Sequence, residues 1–173
     1  MNAPLTALAG SLDPAAISQA RAAAGATRRR VVDVLEEQLG LDPDAFTARL
    51  AATLRLGCLK MEELRRAAPA FDLLPFNECS QHGCALLRPE DGCLLLVTDD
   101  PFSAELQSWA EERIREPFSW CLVHRGDLLA YLAGHEETLR ALDAVQAETG
   151  AHIEERESVE NLSLKAISDE SSE

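Results

Sequence analysis

Lysine is nearly missing from this chain of 173 residues, and positive charge of any kind is scarce. Lys60 and Lys165 are the two lysines, and 16 Lys and Arg residues face 30 Asp and Glu residues, for a formal net charge of -14. A chain this acidic repels phosphate backbones, which excludes binding of nucleic acid through bulk charge. Because 46% of the residues are hydrophobic, a packed core is possible, and disorder along the whole chain is also excluded.

Long apolar runs are missing as well. The densest run is Cys93–Val97, far short of the roughly 18–20 apolar residues of a membrane-spanning helix. The start of the chain has no cationic segment followed by an apolar stretch, so it does not indicate a signal peptide. We therefore expect a cytoplasmic protein with no direct membrane insertion. Five cysteines, an odd number, are then expected to be free thiols, most of them buried.

The sequence also contains none of the common catalytic signatures. It has no Gly-x-x-x-x-Gly-Lys-Ser/Thr loop for phosphates, no Gly-x-Gly-x-x-Gly, no Gly-x-Ser-x-Gly and no His-Glu-x-x-His. We therefore predict no catalytic residue in this chain.

Helix signals dominate the first third of the chain. Asp13-Pro14 and Asp42-Pro43 each place an N-cap residue before a proline at the first helical position. Glycines at 25, 40 and 57 predict where three helices end. The first of these helices is rich in alanine and weakly amphipathic, so we expect it to be weakly ordered.

The apolar pattern then changes to that of strands. Cys84–Arg88 and Cys93–Thr98 predict an antiparallel hairpin, and Phe118–His124 predicts a third strand. Asp99-Asp100-Pro101 is expected to cap a helix between the second and third strands, and a crossover of this length favours a parallel pair. The predicted fold class is α+β: N-terminal helices followed by a small three-stranded sheet packed with helices.

Composition and apolar pattern divide the chain into three predicted segments. Residues 1–27 are expected to form a weakly ordered N-terminal helix or tail, and residues 28–146 an α+β domain. Residues 147–173 carry eight acidic and two basic side chains and are predicted to be an acidic linker.

Two clusters suggest binding chemistry. The run Arg28-Arg29-Arg30 is either a solvated helix end or a contact for an acidic partner or a phosphate-bearing ligand. A weaker alternative is a zinc site, because thiolate and imidazole are the ligands that zinc prefers. Its candidate ligands are Cys79, His82, Cys84 and Cys93. Their spacing is not one of the strong zinc patterns, so the prediction for metal is none.

Four short segments, in order, resemble a known family. They are Gly57, Phe71–Pro75, Cys84–Leu87 and Leu95–Phe102. Over roughly residues 28–146 the chain is similar to the N-terminal domain of type II secretion ATPases, the E proteins, which are related to the bacterial type IV pilus assembly ATPases. The segment Glu160–Glu173 resembles the stretch that precedes the second domain of that family.

The resemblance implies a role in protein transport. In secretion ATPases this domain docks the motor on the cytoplasmic part of the inner-membrane L protein. The resemblance therefore implies a non-catalytic adaptor, peripheral to the inner membrane through that partner, with an ATPase domain downstream that would bind ATP and magnesium. The residues expected to contact the partner lie in the first helices. They are Arg28, Arg29, Arg30, Val31, Val34 and Leu35.

Some relatives of this domain imply an alternative function. They bind cyclic di-GMP through a tandem Arg-Leu-Gly-x-x-Leu motif. Here Arg30–Leu35 lacks the Leu-Gly pair, while Arg55-Leu56-Gly57 has the triplet without a good continuation. A regulatory domain that binds cyclic di-GMP is therefore the alternative to the docking domain.

Overall fold

The computed structural model of the chain describes residues 10–90, 92–142 and 144–145. It divides into two units, the first ending at Leu132 and the second beginning at Ala133. The acidic linker predicted at 147–173 and the first nine residues lie outside the described residues. The first unit contains every described strand and all of the predicted partner-binding residues.

Three helices precede the sheet, and two of them begin at the predicted aspartate–proline pairs. They are α1 (Pro14–Thr27), α2 (Val31–Leu39) and α3 (Pro43–Leu54). The side chains of Asp13 and Asp42 each accept a hydrogen bond from the backbone N–H two residues further on. Each cap satisfies an amide that has no partner within the first turn of the helix. Both predicted helix starts are confirmed.

Two of the three predicted helix ends are wrong. α1 runs past Gly25 to Thr27, because a single glycine costs only about 1 kcal/mol in a helix that is otherwise rich in alanine. α3 ends at Leu54 rather than at Gly57. In both helices an arginine takes the left-handed C-cap position, Arg28 with φ 54° and Arg55 with φ 57°.

The three predicted strands form the centre of the sheet. β3 (Cys84–Arg88) pairs antiparallel with β4 (Leu94–Thr98), and β4 pairs parallel with β5 (Phe118–Leu122). The helix between β4 and β5 is α6 (Ala104–Arg113). The predicted hairpin and the predicted crossover with a parallel neighbour are both confirmed.

Two very short strands at the edges were missed. β1 (Gly57–Cys58) pairs parallel with β5, and β2 (Ala68–Pro69) pairs antiparallel with β3. The order in the described sheet is β1-β5-β4-β3-β2. Strands of two residues are too short to show alternation, so the sequence held no signal for them. The α+β class is confirmed, with five described strands in place of the predicted three.

The cap predicted for α6 is also corrected. Ser103, whose Oγ accepts a hydrogen bond from the N–H of Leu106, caps the helix in place of Asp100. Asp100 instead accepts from the N–H of Phe102 through one oxygen, which turns the chain before the helix begins. Its other oxygen is left for an ion pair.

The chain has two hydrophobic cores. In the first, helices pack on the sheet, and in the second, helices pack mainly on one another. α4 (Met61–Arg66), α5 (Phe76–His82), α6 and residues 125–132, named α7, contribute to the first core with the sheet. α1, α2 and α3 form the second core with Leu122 of β5. The first helix, expected to be weakly ordered, contacts α2, and its Ala20 and Ala24 are buried.

The second unit is helical over residues 133–142 and 144–145. Thr138 donates to the carbonyl of Gly134, and Arg140 pairs with Glu136 one turn earlier at 2.6 Å. Across both units, no described helix has the length and apolarity needed to cross a bilayer.

Candidate functional site

Arg30, the last of the three predicted arginines, is bound within the fold. Its Nη2 donates to Oδ2 of Asp99 at 2.7 Å, and its Nε donates to Oδ2 of Asp100 at 3.1 Å. Burial alone would lower the pKa of Arg30, but the hydrogen bonds and negative charges of Asp99 and Asp100 outweigh it and raise that pKa. The guanidinium therefore stays charged, and its Nη2 and Nε are occupied within the fold.

The same contact explains why two aspartates follow β4. Asp99 and Asp100 lie at the carboxyl end of that strand, and Arg30 is the N-cap residue of α2. Two further pairs join α2 to the end of β5. Nη1 of Arg125 lies 3.4 Å from Oδ2 of Asp33, and Nε2 of His124 lies 3.0 Å from Oε1 of Glu36. Polar contacts thus hold α2 against the carboxyl ends of β4 and β5.

His124 has a defined tautomer in this contact. Its Nδ1 accepts a hydrogen bond from the N–H of Gly126 at 3.1 Å, so the proton of the neutral ring lies on Nε2 and is donated to Glu36. The cavity beneath α2 is lined in part by Asp33, Glu36 and Asp99, and it is too small for anything larger than a water molecule. Carboxylates around so small a space make it unsuitable for a phosphate-bearing ligand.

Arg28 and Arg29, by contrast, face outward. Both are exposed, and Nη1 of Arg29 pairs with Oε2 of Glu37 at 2.7 Å. No ion pair of Arg28 occurs among the residues that the structure describes. Of the three predicted arginines, these two are accessible to a partner.

The apolar part of the predicted surface lies largely inside. Val34 and Leu35 are buried in the second core, and Leu35 has 0% of its surface exposed. Val31 is half-buried and packs against the same core. The helical spacing of these residues is therefore explained by packing within the chain.

An open groove between α3 and α4 was missed by the sequence analysis. Cys58 of β1 lies on its lining, together with Ala45 and Ala48 of α3. Nζ of Lys60 pairs with Oδ2 of Asp44 at 3.0 Å and joins the beginnings of the two helices. The rest of the lining consists of charged side chains. They are Asp42, Arg49, Glu62, Glu63 and Arg66. Nothing in the sequence could have indicated this groove, because it depends on a strand of two residues.

The triplet Arg55-Leu56-Gly57 has a structural explanation. Arg55 is the left-handed cap of α3, and Gly57 begins β1. A Cβ at position 57 would lie 2.9 Å from Sγ of buried Cys121, closer than real Cβ contacts allow. Glycine is therefore required here by packing between β1 and β5.

The four candidate zinc ligands are dispersed. Cys79 and Cys84 are buried, and Sγ of Cys79 donates to the carbonyl of Leu74 at 3.5 Å. The interaction between the two thiols lowers the pKa of Cys79 and raises that of Cys84. The ring of His82 stacks on Trp109 with centroids 3.7 Å apart, and Cys93 is exposed. Within the described part of the chain, no group of three or more His, Cys, Asp or Glu side chains is arranged to hold a metal ion.

Comparisons with known proteins agree with this architecture. A family model described as the MshEN domain matches residues 54–147, more than half of the chain. A search of curated proteins found no match.

Two solved structures are similar to the chain. One is described as the structure of MshE with cdg. It is 23% identical to this chain, and the aligned part covers 70% of this chain and 88% of that one, with a TM-score of 0.52. The other is described as the N-terminal domain of XpsE: it is 16% identical, covers 70% and 85%, and has a TM-score of 0.47. Because the first of these structures is only 23% identical to the chain, the similarity to it shows a shared fold.

Proposed function

Because the chain belongs to the MshEN domain family, we propose that it is the non-catalytic N-terminal domain of a secretion ATPase and docks that motor on its membrane platform. The partner is the cytoplasmic part of the inner-membrane L protein of a type II secretion system. The domain would then work at the cytoplasmic side of the membrane, held there by its partner. ATP, magnesium and the P-loop would belong to the ATPase core that follows this domain in full-length relatives.

The observation that carries the proposal is the family match. It covers the sheet together with α4, α5 and α6, and it concerns a domain rather than an ATPase core. The charge distribution agrees with a protein partner: the chain is acidic overall, while Arg28 and Arg29 are presented on its surface. Exposed arginines of this kind favour recognition of an acidic surface.

A regulatory domain that binds cyclic di-GMP is the second candidate. It is favoured by the likeness in fold to MshE, which is described with cdg, the usual abbreviation of that nucleotide. Two observations explain the motif-like residues of this chain without a nucleotide. Arg30, the arginine of the first motif-like segment, is occupied by Asp99 and Asp100. Gly57, the glycine of the second, is needed for packing on Cys121.

Titration calorimetry separates the two candidates. The chain is titrated with the cytoplasmic domain of the cognate L protein and, in parallel, with cyclic di-GMP. Saturable binding of the protein and no heat from the nucleotide are expected. Heat from the nucleotide alone would reject docking and leave the sensor as the function.

Charge reversal at the exposed arginines then tests the docking surface. The double variant Arg28→Glu with Arg29→Glu should weaken protein binding at least about tenfold, a change of about 1.4 kcal/mol. Arg30 is left unchanged because its replacement would disturb the fold. Arg115, also exposed, provides the control variant Arg115→Glu, which should bind as the wild type does.

A further inference from the structure

The two edges of the sheet are protected to different degrees. β2 forms one edge and contains Pro69, which has no N–H to offer to another strand. β1 forms the other edge and contains no proline. A strand of two residues offers few backbone groups to a further strand, but in β1 none of them is removed by a proline.

The register of β1 identifies which backbone groups point outward. Gly57 lies opposite Cys121, and the N–H of Leu59 donates to the carbonyl of Leu122 at 2.9 Å. In a parallel ladder, residues bonded to the neighbour alternate with residues that point away from it. Gly57 and Leu59 are bonded to β5, so the N–H and C=O of Cys58 point away from the sheet.

Cys58 also lies on the lining of the groove between α3 and α4. Ala45 and Ala48, on the α3 side, have short side chains and leave room beside the strand. The outward backbone groups of Cys58 are therefore next to a space that an extended segment could enter. The edge strand β1 is therefore open to the groove, and α3 and α4 form the two walls beside it.

The walls of the groove have a charge polarity. α3 is acidic where it begins, at Asp42 and Asp44, and basic further on, at Arg49. α4 repeats this order, since Glu62 and Glu63 precede Arg66.

The acidic ends of the two walls lie near the strand. The pair between Lys60 and Asp44 brings the beginnings of both helices together. Cys58, Glu63 and Asp44 share the lining of the groove. Burial raises the pKa of the Cys58 thiol, and the charges of Glu63 and Asp44 raise it further, while Lys60 opposes them in part. An occupant with a basic side chain beside this end would be complementary.

We propose that the docking partner lays an extended segment with a basic residue into the groove between α3 and α4, where its backbone pairs with the outward N–H and C=O of Cys58. This inference rests on the proposed docking function and specifies how the partner is bound. β-strand addition supplies affinity through backbone hydrogen bonds, while the charged walls set the direction of the segment.

Two tryptophan variants test the groove. Ala48→Trp places a large side chain in the groove, whereas Ala104→Trp places the same side chain on an exposed position of α6 that is not part of the lining. Binding of the cytoplasmic domain of the L protein is measured by calorimetry for both. Ala48→Trp should weaken binding at least about tenfold, and Ala104→Trp should leave it unchanged.

Thiol protection gives a second measurement that does not depend on a variant. The wild-type chain is alkylated with N-ethylmaleimide, alone and with saturating partner, and the modified cysteines are quantified by peptide mass spectrometry. Cys58 is half-buried in the groove and should be protected about tenfold, while Cys93 is exposed at the far hairpin and should react equally in both samples.

The outcomes are distinct. If the wild type binds the partner but Ala48→Trp binds equally well and Cys58 is not protected, the groove proposal is overturned while the docking function stands. If the wild type does not bind the partner, the docking function is rejected and the groove proposal falls with it. Loss of binding in Ala48→Trp alone, together with selective protection of Cys58, supports the proposal.

Discussion

Replacing Gly57 with alanine tests the contact that positions β1 on β5. The new Cβ would lie 2.9 Å from Sγ of Cys121 and 3.7 Å from its Cβ. Cys121 is 2% exposed, so any rotation of its sulfur away from residue 57 has to be accommodated within the core. Overpacking of a well-packed interior costs about 1–3 kcal/mol, and we expect Gly57→Ala to lower the free energy of unfolding by about 2 kcal/mol.

A double-mutant cycle assigns that cost to one contact. Cys121→Ala removes the sulfur and by itself should cost about 1 kcal/mol of buried apolar surface. In the double variant the Cβ of residue 57 occupies the vacated space, so the loss should be smaller than the sum of the two single losses by about 1–2 kcal/mol. Urea denaturation followed by tryptophan fluorescence measures all four proteins, since Trp120 precedes Cys121 on β5.

Gly25 provides the control for the glycine itself. It lies within α1, and a Cβ there would meet nothing within 4 Å. Gly25→Ala should therefore raise the free energy of unfolding by about 0.5–1 kcal/mol. The reasoning is refuted if Gly57→Ala is as stable as the wild type, or if its loss and that of Cys121→Ala simply add.

Three further changes test features of the first unit. Arg28→Gly should raise the free energy of unfolding by about 1 kcal/mol in urea denaturation, because a side chain in the left-handed region carries a steric penalty that glycine lacks; a lower stability would contradict this. Arg30→Met should lower it by about 1–3 kcal/mol, because its two aspartate partners are left half-buried and unpaired; an unchanged midpoint would count against the pair. The hydrogen bonds from Arg113 lower the pKa of Glu78, so this pair stabilises the fold above the ordinary pKa of the carboxyl and loses that contribution as the pH falls through the lowered value. Thermal unfolding of Glu78→Gln should show a deficit near neutral pH that shrinks in acid, whereas a deficit independent of pH would exclude the linkage.

The folding of the central sheet was predictable because its signals are local. Cys84–Arg88 and Cys93–Thr98 are apolar runs separated by a turn, and the strands of the structure cover the first run fully and all but Cys93 of the second. The crossover through α6 predicts a parallel neighbour by length alone, and Asp13-Pro14 and Asp42-Pro43 predict helix starts from two residues each. The resemblance to secretion ATPases also depended on short segments of this kind, and the family match confirms it at the level of the MshEN domain.

The candidate site was less predictable, because its residues meet across the chain. Arg30 is 69 and 70 residues away from the two aspartates that bind it, so the arginine run carried no information about which of its members would be exposed. Val34 and Leu35 form an apolar helix face, and such a face looks the same in sequence whether the chain itself or a partner covers it.

The sequence by itself determined where α1 and α3 begin, the three central strands and the family, since these depend on neighbouring residues, on the strand period of about 2, and on short motifs. Tertiary structure alone decided that Arg30 is internal, that Gly57 must be small, and that β1 leaves Cys58 at an open edge. Each of those outcomes depends on contacts between distant segments. Such contacts are selected by the packing of whole elements rather than by local spacing.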